Sequence, residues 1–193
     1  MSRASYIRVL EGALAPMGFE RRDASLPPRE KAWVRRRGDF EDYVGLQRNA
    51  IAGVTANLAT KDLVSEQILH SLNATGVFIW YPYERRIGQL MRTTDVWWKN
   101  DTDGPRALAE NVLAFGMPFF DSFSTLDDQI ERYQQSADVA ARLYFLTALH
   151  RRNRAGDLDE ACRRLSSELA RKRHGWTPIF EALNTRLGCS RNQ

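Results

Sequence analysis

Two different periodicities of apolar residues divide this chain and limit the folds open to it. Between residues 31 and 58, apolar and polar residues alternate, as at Val54, Ala56 and Leu58. This period of two predicts strands that are half buried. From residue 103 onward, apolar residues recur at spacings of three and four, which predicts amphipathic helices. The chain is therefore expected to be α+β, with a sheet followed by a helical C-terminal half.

The individual elements are predicted from these patterns together with turn and cap residues. A first helix over residues 4–17, ended by Gly18, is expected to pack on a small, mainly antiparallel sheet of about four strands. The strands are predicted at 31–37, 42–48, 54–58 and 77–81. Later helices are predicted to run from Asp62 to Leu72, from Asp103 to its end at Met117–Phe120, from Ser124–Asp127, from Ser136 or Asp138, from Asp157 after a break at Gly156, and from Thr177 to Gly188. We expect an α+β domain over 1–135 and a helical extension over 136–193 packed on it.

The compartment is predicted from the cysteines and from the N-terminus. Cys162 and Cys189 lack any companion at metal or redox spacing, so we expect reduced thiols in a cytoplasmic protein, with a bridge between them as the alternative. The apolar residues near the N-terminus are interrupted by Arg8 and Glu11, which favours an amphipathic helix over a secretion signal. No stretch approaches the roughly 20 apolar residues of a membrane span. We therefore expect a soluble protein that does not act at a membrane.

Basic residues are concentrated at the C-terminus. The formal net charge is +4, and from Arg142 onward 11 basic residues face 5 acidic ones. Arginine-rich helices are suited to phosphate backbones or to an acidic protein surface. A solvated helix exterior explains the same pattern, because acidic residues are interspersed and aromatic residues are not.

The most distinctive motif is Arg85-Arg86-Ile87-Gly88-Gln89-Leu90, followed after a short gap by Trp97-Trp98. Two adjacent tryptophans either close a core or offer a binding platform, and in an extended segment they point to opposite sides. Arg86 before Gly88 suggests an arginine that bonds carbonyls or a carboxylate, beside a glycine that lets another backbone come close. A purely structural clamp explains that arginine equally well. The residues predicted to form a binding surface are Arg85, Arg86, Trp97, Trp98, Tyr81 and Tyr83.

Sequence spacing points to no catalytic residue, metal site or cofactor. The histidines His70, His150 and His174 are scattered and have no ligand partner at useful spacing. Gln47 and Asn57 lie on neighbouring predicted strands, but no pair of side chains has a spacing that demands acid–base chemistry.

The order of motifs resembles the bacterial family known as domain of unknown function 4304. The resemblance rests on the first helix with Gly18-Phe19, the strands Val44–Gln47 and Thr55–Leu58, Arg86-Ile87-Gly88 with Leu90, and Trp97-Trp98, and it covers roughly residues 5–135. The predicted helix from Asp62 to Leu72 departs from it. The resemblance implies an α+β fold and supplies no activity.

Three functions are compatible with this sequence. The first is a non-catalytic protein-binding module of a bacterial cytoplasmic protein, with an immunity or accessory role in bacterial conflict; this rests on association with small α+β families alone. The second is nucleic-acid binding through the arginine-rich C-terminal helices. The third is an enzyme with a pocket near Arg86 and Trp97. The first is the prediction that we carry forward, with another protein as the expected partner.

Overall fold

A computed structural model of the chain describes residues 3–22, 31–72, 81–99, 101–171 and 175–189. The chain folds into two compact units. One contains Met1–Lys61 and Tyr83–Ser124, and the other contains Asp62–Pro82 and Thr125–Gln193. The predicted domains meet at a single boundary at residue 135, whereas each of these units combines two separate stretches of the chain. The division into two domains at residue 135 stays a prediction.

The described secondary structure confirms the predicted α+β class. The strands are β1 (Glu20–Arg22), β2 (Lys31–Arg37), β3 (Phe40–Asn49), β4 (Gly53–Asp62) and β5 (Tyr83–Arg86). The helices are α1 (Arg3–Leu14), α2 (Leu63–Leu72), α3 (Ile87–Leu90), α4 (Gly104–Asn111), α5 (Met117–Asp121), α6 (Leu126–Gln134), α7 (Val139–Arg151), α8 (Ala155–Arg171) and α9 (Thr177–Leu187). A 3-10 turn (Ala15–Met17) follows α1, and a π-helical segment (Val112–Gly116) joins α4 to α5.

The first unit is built on one antiparallel sheet with the strand order β1-β2-β3-β4-β5. In its register Trp33 lies opposite Val44, and Asn57 lies opposite Arg86. One sheet face carries the apolar residues of the strands, because side chains alternate between faces. They pack with α1 and with the phenylalanines near α5 in a core that includes Tyr6, Leu10, Leu14, Trp33, Val44, Leu46, Leu58, Phe119, Phe120 and Phe123.

The buried carboxylate of Asp42 links three strands of the sheet. Asp42 is fully buried and accepts hydrogen bonds from the guanidinium groups of Arg35 and Arg37 and from the hydroxyl of Thr60. The hydrogen bond to Asp42 is the main reason that the pKa of Arg37 is raised. Arg37 also donates to the carbonyl of Phe120 at 2.8 Å. This network ties β2, β3 and β4 to the end of α5, and it satisfies a charge that would be costly to bury alone.

The second unit is helical and has its own buried polar network. Asp62 accepts from the backbone N–H of Val64 at 3.0 Å and from Ser65 Oγ at 2.6 Å, so it caps α2 as predicted. Arg151 of α7 pairs with the same carboxylate. Thr147 Oγ1 donates to Ser65 Oγ at 2.5 Å. Asp62 is fully buried, and the network therefore links the start of α2 to α7 inside the core.

The structure corrects the prediction for the two cysteines. Cys162 and Cys189 form a disulfide, with their Cα atoms 6.5 Å apart, where reduced thiols were expected. Cys162 is buried on α8 together with Leu158, Leu165 and Leu169. Sequence spacing leaves the bridge only as the alternative, because it does not reveal that the chain after α9 returns to α8 and brings together residues that are 27 apart.

Three element predictions are also wrong. The segment after residue 81 was expected to hold no strand, yet β5 pairs with β4. Met117–Phe120 was expected to end a helix, but the chain stays helical to Asp121, because Pro118 lies in the first turn of α5, where a proline needs no N–H partner. Gly156 lies inside the first turn of α8 and not in a break before it. The predicted strand at 77–81 lies outside the described residues except for Tyr81, which is not in a strand.

The remaining helix ends and strand positions agree with the predictions. Gly18 and Gly188 both adopt the left-handed conformation after a helix, with φ of 82° and 68°. Thr125 and Asp138 accept hydrogen bonds at the starts of α6 and α7. Of the helices described here, none combines the length and the apolar character that spanning a bilayer requires.

Candidate functional site

The candidate site begins where β5 passes directly into α3. Arg86 is the last residue of β5, and its backbone N–H donates to Gln89 Oε1 at 3.0 Å. The side chain of Gln89 thus satisfies an N–H at the start of the short helix. This fixes the position of Arg86, whose side chain forms an ion pair with Asp95.

Gly88 lets the chain fold back tightly after α3. A Cβ atom at this position would lie 2.7 Å from the carbonyl oxygen of Thr94 and 2.9 Å from the backbone nitrogen of Val96. The returning backbone therefore occupies the space that any other side chain would need. The predicted role of this glycine, allowing another backbone to come close, is confirmed. Its consequence is that Asp95, between Thr94 and Val96, is brought beside Arg86.

Asp95 joins the arginine and one tryptophan of the motif. Its carboxylate pairs with Arg86 and also accepts a hydrogen bond at 3.0 Å from the indole nitrogen of Trp97. The guanidinium carbon of Arg86 lies 5.5 Å from the centre of the Trp97 ring. An exposed ion pair and an exposed cation–π contact each contribute only about 0–1 kcal/mol. Together they hold a half-exposed indole in one orientation, and the predicted arginine–carboxylate bond is confirmed.

Trp98 is anchored toward the core. Its backbone pairs with Val54 through two hydrogen bonds of 2.8 and 2.9 Å, and its half-buried side chain packs against the core of the first unit. The hydroxyl of Tyr6 donates to the carbonyl of Lys99 at 2.6 Å and also contacts the carbonyl of Trp98 at 3.1 Å. Burial, followed by the charge of Asp101, raises the pKa of this hydroxyl, so it stays a donor. These hydrogen bonds therefore hold the backbone next to Trp97 in place on the core of the first unit.

An apolar side chain projects from the turn beside this segment. Ile51 is 97% exposed on the turn between β3 and β4. The side-chain oxygen of Asn49 accepts from the backbone N–H groups of Ile51 and Ala52, at 2.8 and 2.9 Å, and so stabilises the turn. Two residues after Ile51, Gly53 lies against Trp98, where an added Cβ would be 2.2 Å from the carbonyl oxygen. The turn and the tryptophan segment are thus in direct backbone contact.

We call Arg86, Asp95 and Trp97 the tryptophan surface; Ile51 lies on the turn next to the backbone of Trp98. The other predicted binding residues are placed differently. Tyr83 packs in the core, 5.2 Å from the ring of Phe123 and 6.2 Å from that of Phe119, and Arg85 covers its ring at 4.1 Å. Trp98 supports the surface from the core side, and Tyr81 is half-buried in the second unit.

Asp95 of this surface and the exposed residue Ile51 on the neighbouring turn were not found from the sequence. Asp95 lies in the polar gap before Trp97, and only the fold-back at Gly88 reveals its role. Ile51 had a signal, because a single large apolar residue stood in a turn between Asn49 and Gly53. Gln47 and Asn57 lie on neighbouring strands as predicted, and in the structure the Asn57 amide donates to Gln47 Oε1 at 3.4 Å. Asn57 lies opposite Arg86 in the sheet, so these amides border the same surface.

Comparisons with protein-family models, with curated proteins and with solved structures gave no match to this chain. The resemblance to domain of unknown function 4304 therefore stays a prediction. Within the described ranges, no group of three or more histidine, cysteine or acidic side chains is arranged to hold a metal ion.

Proposed function

We propose that this protein is a non-catalytic protein-binding module and that it binds its partner through the tryptophan surface. The observation that carries the proposal is the indole of Trp97, held half-exposed by Asp95 and Arg86. Tryptophan and arginine are the residues most enriched among the energetic centres of protein interfaces. An aromatic group that is already fixed loses little entropy on binding, which favours affinity.

Ile51, on the turn next to the backbone of Trp98, is a second apolar group that a partner could cover. It is almost completely exposed on a turn whose backbone is held by Asn49. Leaving a large aliphatic side chain in water brings the fold no stability, whereas burying one contributes about 1.5–3 kcal/mol. A partner that covers Ile51 and Trp97 together would gain that burial, while Arg86 and Asp95 supply polar contacts at the edge.

The arginines of the C-terminal helices give less support to nucleic-acid binding. Most of those that are described form ion pairs within the helical unit: Arg142 with Glu168, Arg151 with Asp62, Arg152 with Asp127, Arg154 with Asp157, and Arg163 and Arg164 with Glu160. Neutralising phosphates requires cations that are not already balanced by neighbouring carboxylates. Most of the described arginines from Arg142 onward are therefore balanced by neighbouring carboxylates.

The biological setting belongs to the same proposal. An immunity or accessory role in bacterial conflict follows from association with small α+β families, and it predicts one dedicated protein partner. A cytoplasmic location was predicted from reduced cysteines. The Cys162–Cys189 disulfide weighs against it, because disulfides are rare in the cytosol.

The experiment is affinity capture from host lysate with matched variants. Wild-type protein, Trp97→Ala and Met17→Ala are used to capture proteins from nuclease-treated and untreated lysate, and retained proteins are quantified by mass spectrometry. Met17 is the control, because it is also a partly exposed apolar residue of the first unit, at the end of the 3-10 turn. We expect one protein to be retained by wild type and by Met17→Ala in both lysates, and to be lost with Trp97→Ala.

Thermal unfolding of the same variants separates binding from folding. Trp97→Ala should retain a cooperative transition, since its side chain is half-exposed and lies outside the core. Equal capture by wild type and Trp97→Ala would show that the tryptophan surface does not bind the partner. Retention that disappears after nuclease treatment would instead support the nucleic-acid function.

A further inference from the structure

A cleft between α7 and α8 of the helical unit has the form of a small-ligand site. It encloses 310 Å³, near the lower end of the range of about 300–1,000 Å³ that is typical of ligand pockets. Its apolar lining comes from Phe145 and Leu146 of α7 and from Ala161 and Leu165 of α8. The cleft lies in a different compact unit from the tryptophan surface, so it is independent of the function proposed above.

Three arginines stand around this apolar lining. Arg142, Arg154 and Arg164 line the cleft together with Asp157 and Glu160. Each guanidinium already has a carboxylate partner, and Arg142 is matched by Glu168. The hydrogen bond from Arg164, with the nearby charge of Arg163, lowers the pKa of Glu160, so this carboxylate is ionised at neutral pH. The charges of the cleft are therefore close to balanced.

What the cleft offers is hydrogen-bond donors. Arg154 binds Asp157 through Nε at 2.6 Å, and Arg164 binds Glu160 through Nε at 2.5 Å. A guanidinium has five N–H donors in a fixed fork, so donors remain on each of these two residues. Both side chains are accessible, with 47% and 77% of their surface exposed. A planar carboxylate matches such a fork in a bidentate manner.

We propose that this cleft binds a small apolar monocarboxylate. The carboxylate accepts hydrogen bonds from the guanidinium groups of Arg154 and Arg164, and the hydrocarbon part packs on Phe145 and Ala161. A polyanion fits poorly, because it needs uncompensated positive charge and would approach Asp157 and Glu160. A cation is repelled by the arginines, and a neutral acceptor forms weaker hydrogen bonds with their guanidinium groups than a carboxylate does.

The test compares acids with their neutral amides. Octanoate with octanamide, and phenylacetate with phenylacetamide, are titrated into the full-length protein and followed by calorimetry and by amide NMR shifts. We expect at least one acid to bind, and its amide to bind at least about tenfold more weakly, because charge-assisted hydrogen bonds are lost. Equal binding of acid and amide, or no binding of either acid, would overturn the proposal.

Variants then locate the site. Arg154→Gln and Arg164→Gln should each weaken binding of the acid about tenfold. Arg163→Gln is the matched control, because Arg163 shares the partner Glu160 but does not line the cleft, and it should bind as wild type does. Ala161→Leu adds bulk to the apolar lining at a helical position and should abolish binding while the helical circular dichroism is retained. Unchanged binding in Arg154→Gln, Arg164→Gln and Ala161→Leu would place the ligand elsewhere and refute the assignment.

Discussion

Replacing Gly88 by alanine tests whether the fold-back that builds the tryptophan surface depends on a missing side chain. The new Cβ would lie 2.7 Å from the oxygen of Thr94 and 2.9 Å from the nitrogen of Val96. Both are backbone atoms, so relief requires the segment that carries Asp95 to move. Overpacking of this kind costs about 1–3 kcal/mol. Alanine is favoured over glycine in a helix by about 0.5–1 kcal/mol. The net expectation is a loss of about 1–2 kcal/mol.

The matched control is Gly12→Ala in α1. An added Cβ at Gly12 meets no atom within 4 Å, and the residue is exposed inside a helix of the same unit. The same chemical change should therefore raise stability by about 0.5–1 kcal/mol. Urea unfolding followed by far-ultraviolet circular dichroism measures both variants. If Gly88→Ala is as stable as Gly12→Ala, the backbone contact at Gly88 is not tight and the reasoning fails.

Three further predictions concern the helical unit. Asp62→Asn keeps an acceptor for the N-terminus of α2 but removes the negative charge that pairs with Arg151, so urea unfolding should show a loss of about 3 kcal/mol. A loss below about 1 kcal/mol would contradict the importance of this ion pair. The disulfide spans 27 residues, so its reduction should lower the free energy of unfolding by about 3.5 kcal/mol, as expected from the entropy of the unfolded chain. Alkylation before reduction should label neither cysteine. Identical unfolding with and without reductant would refute the bridge. Burial, with smaller effects of Tyr144 and Asp62, raises the pKa of Tyr133 well above its ordinary value. The unfolded chain then loses this proton first, so stability should fall as the pH rises above about 10, and should fall less in Tyr133→Phe.

Strand and helix positions were predicted well where apolar periodicity is sustained. β2 and β4 were recognised because apolar and polar residues alternate along part of each strand, although β4 is buried at nine of its ten positions. β5 was missed because Tyr83–Arg86 is short and contains three charged residues in a row. The strand forms nevertheless, because its backbone pairs with residues 57–60 of β4 and because the ring of Tyr83 packs on that of Phe123. Packing with distant residues decided this element, and local propensity did not.

The helix from Gly104 to Asp121 shows a different reason for error. A proline normally marks a helix end, and this rule predicts that the helix ends near Pro118. The π-helical segment Val112–Gly116 widens the turn before it, so that Pro118 falls at the first turn of a new helix. Gly116 lies within this segment, and a Cβ there would approach Leu58 Cδ2 to 2.4 Å. The close contact of the π-helical segment with the sheet is a property of the assembled core, which no single window of sequence contains.

Some residues of the candidate site could be predicted from the local sequence, whereas others depend on how distant parts of the chain come together. Arg86, Gly88 and Trp97 were identified because their residue types and spacing carry a physical meaning, and the contacts of Gly88 and Arg86 agree with that meaning. Asp95 and Ile51 act through a fold-back and through a turn that touches Trp98. The motif therefore works as one unit: the glycine allows the return of the chain, the return brings the carboxylate to the arginine, and the carboxylate orients the indole. It follows that Gly88→Ala and Asp95→Ala should impair partner binding in the same way, although Gly88 itself contributes no side chain to the surface.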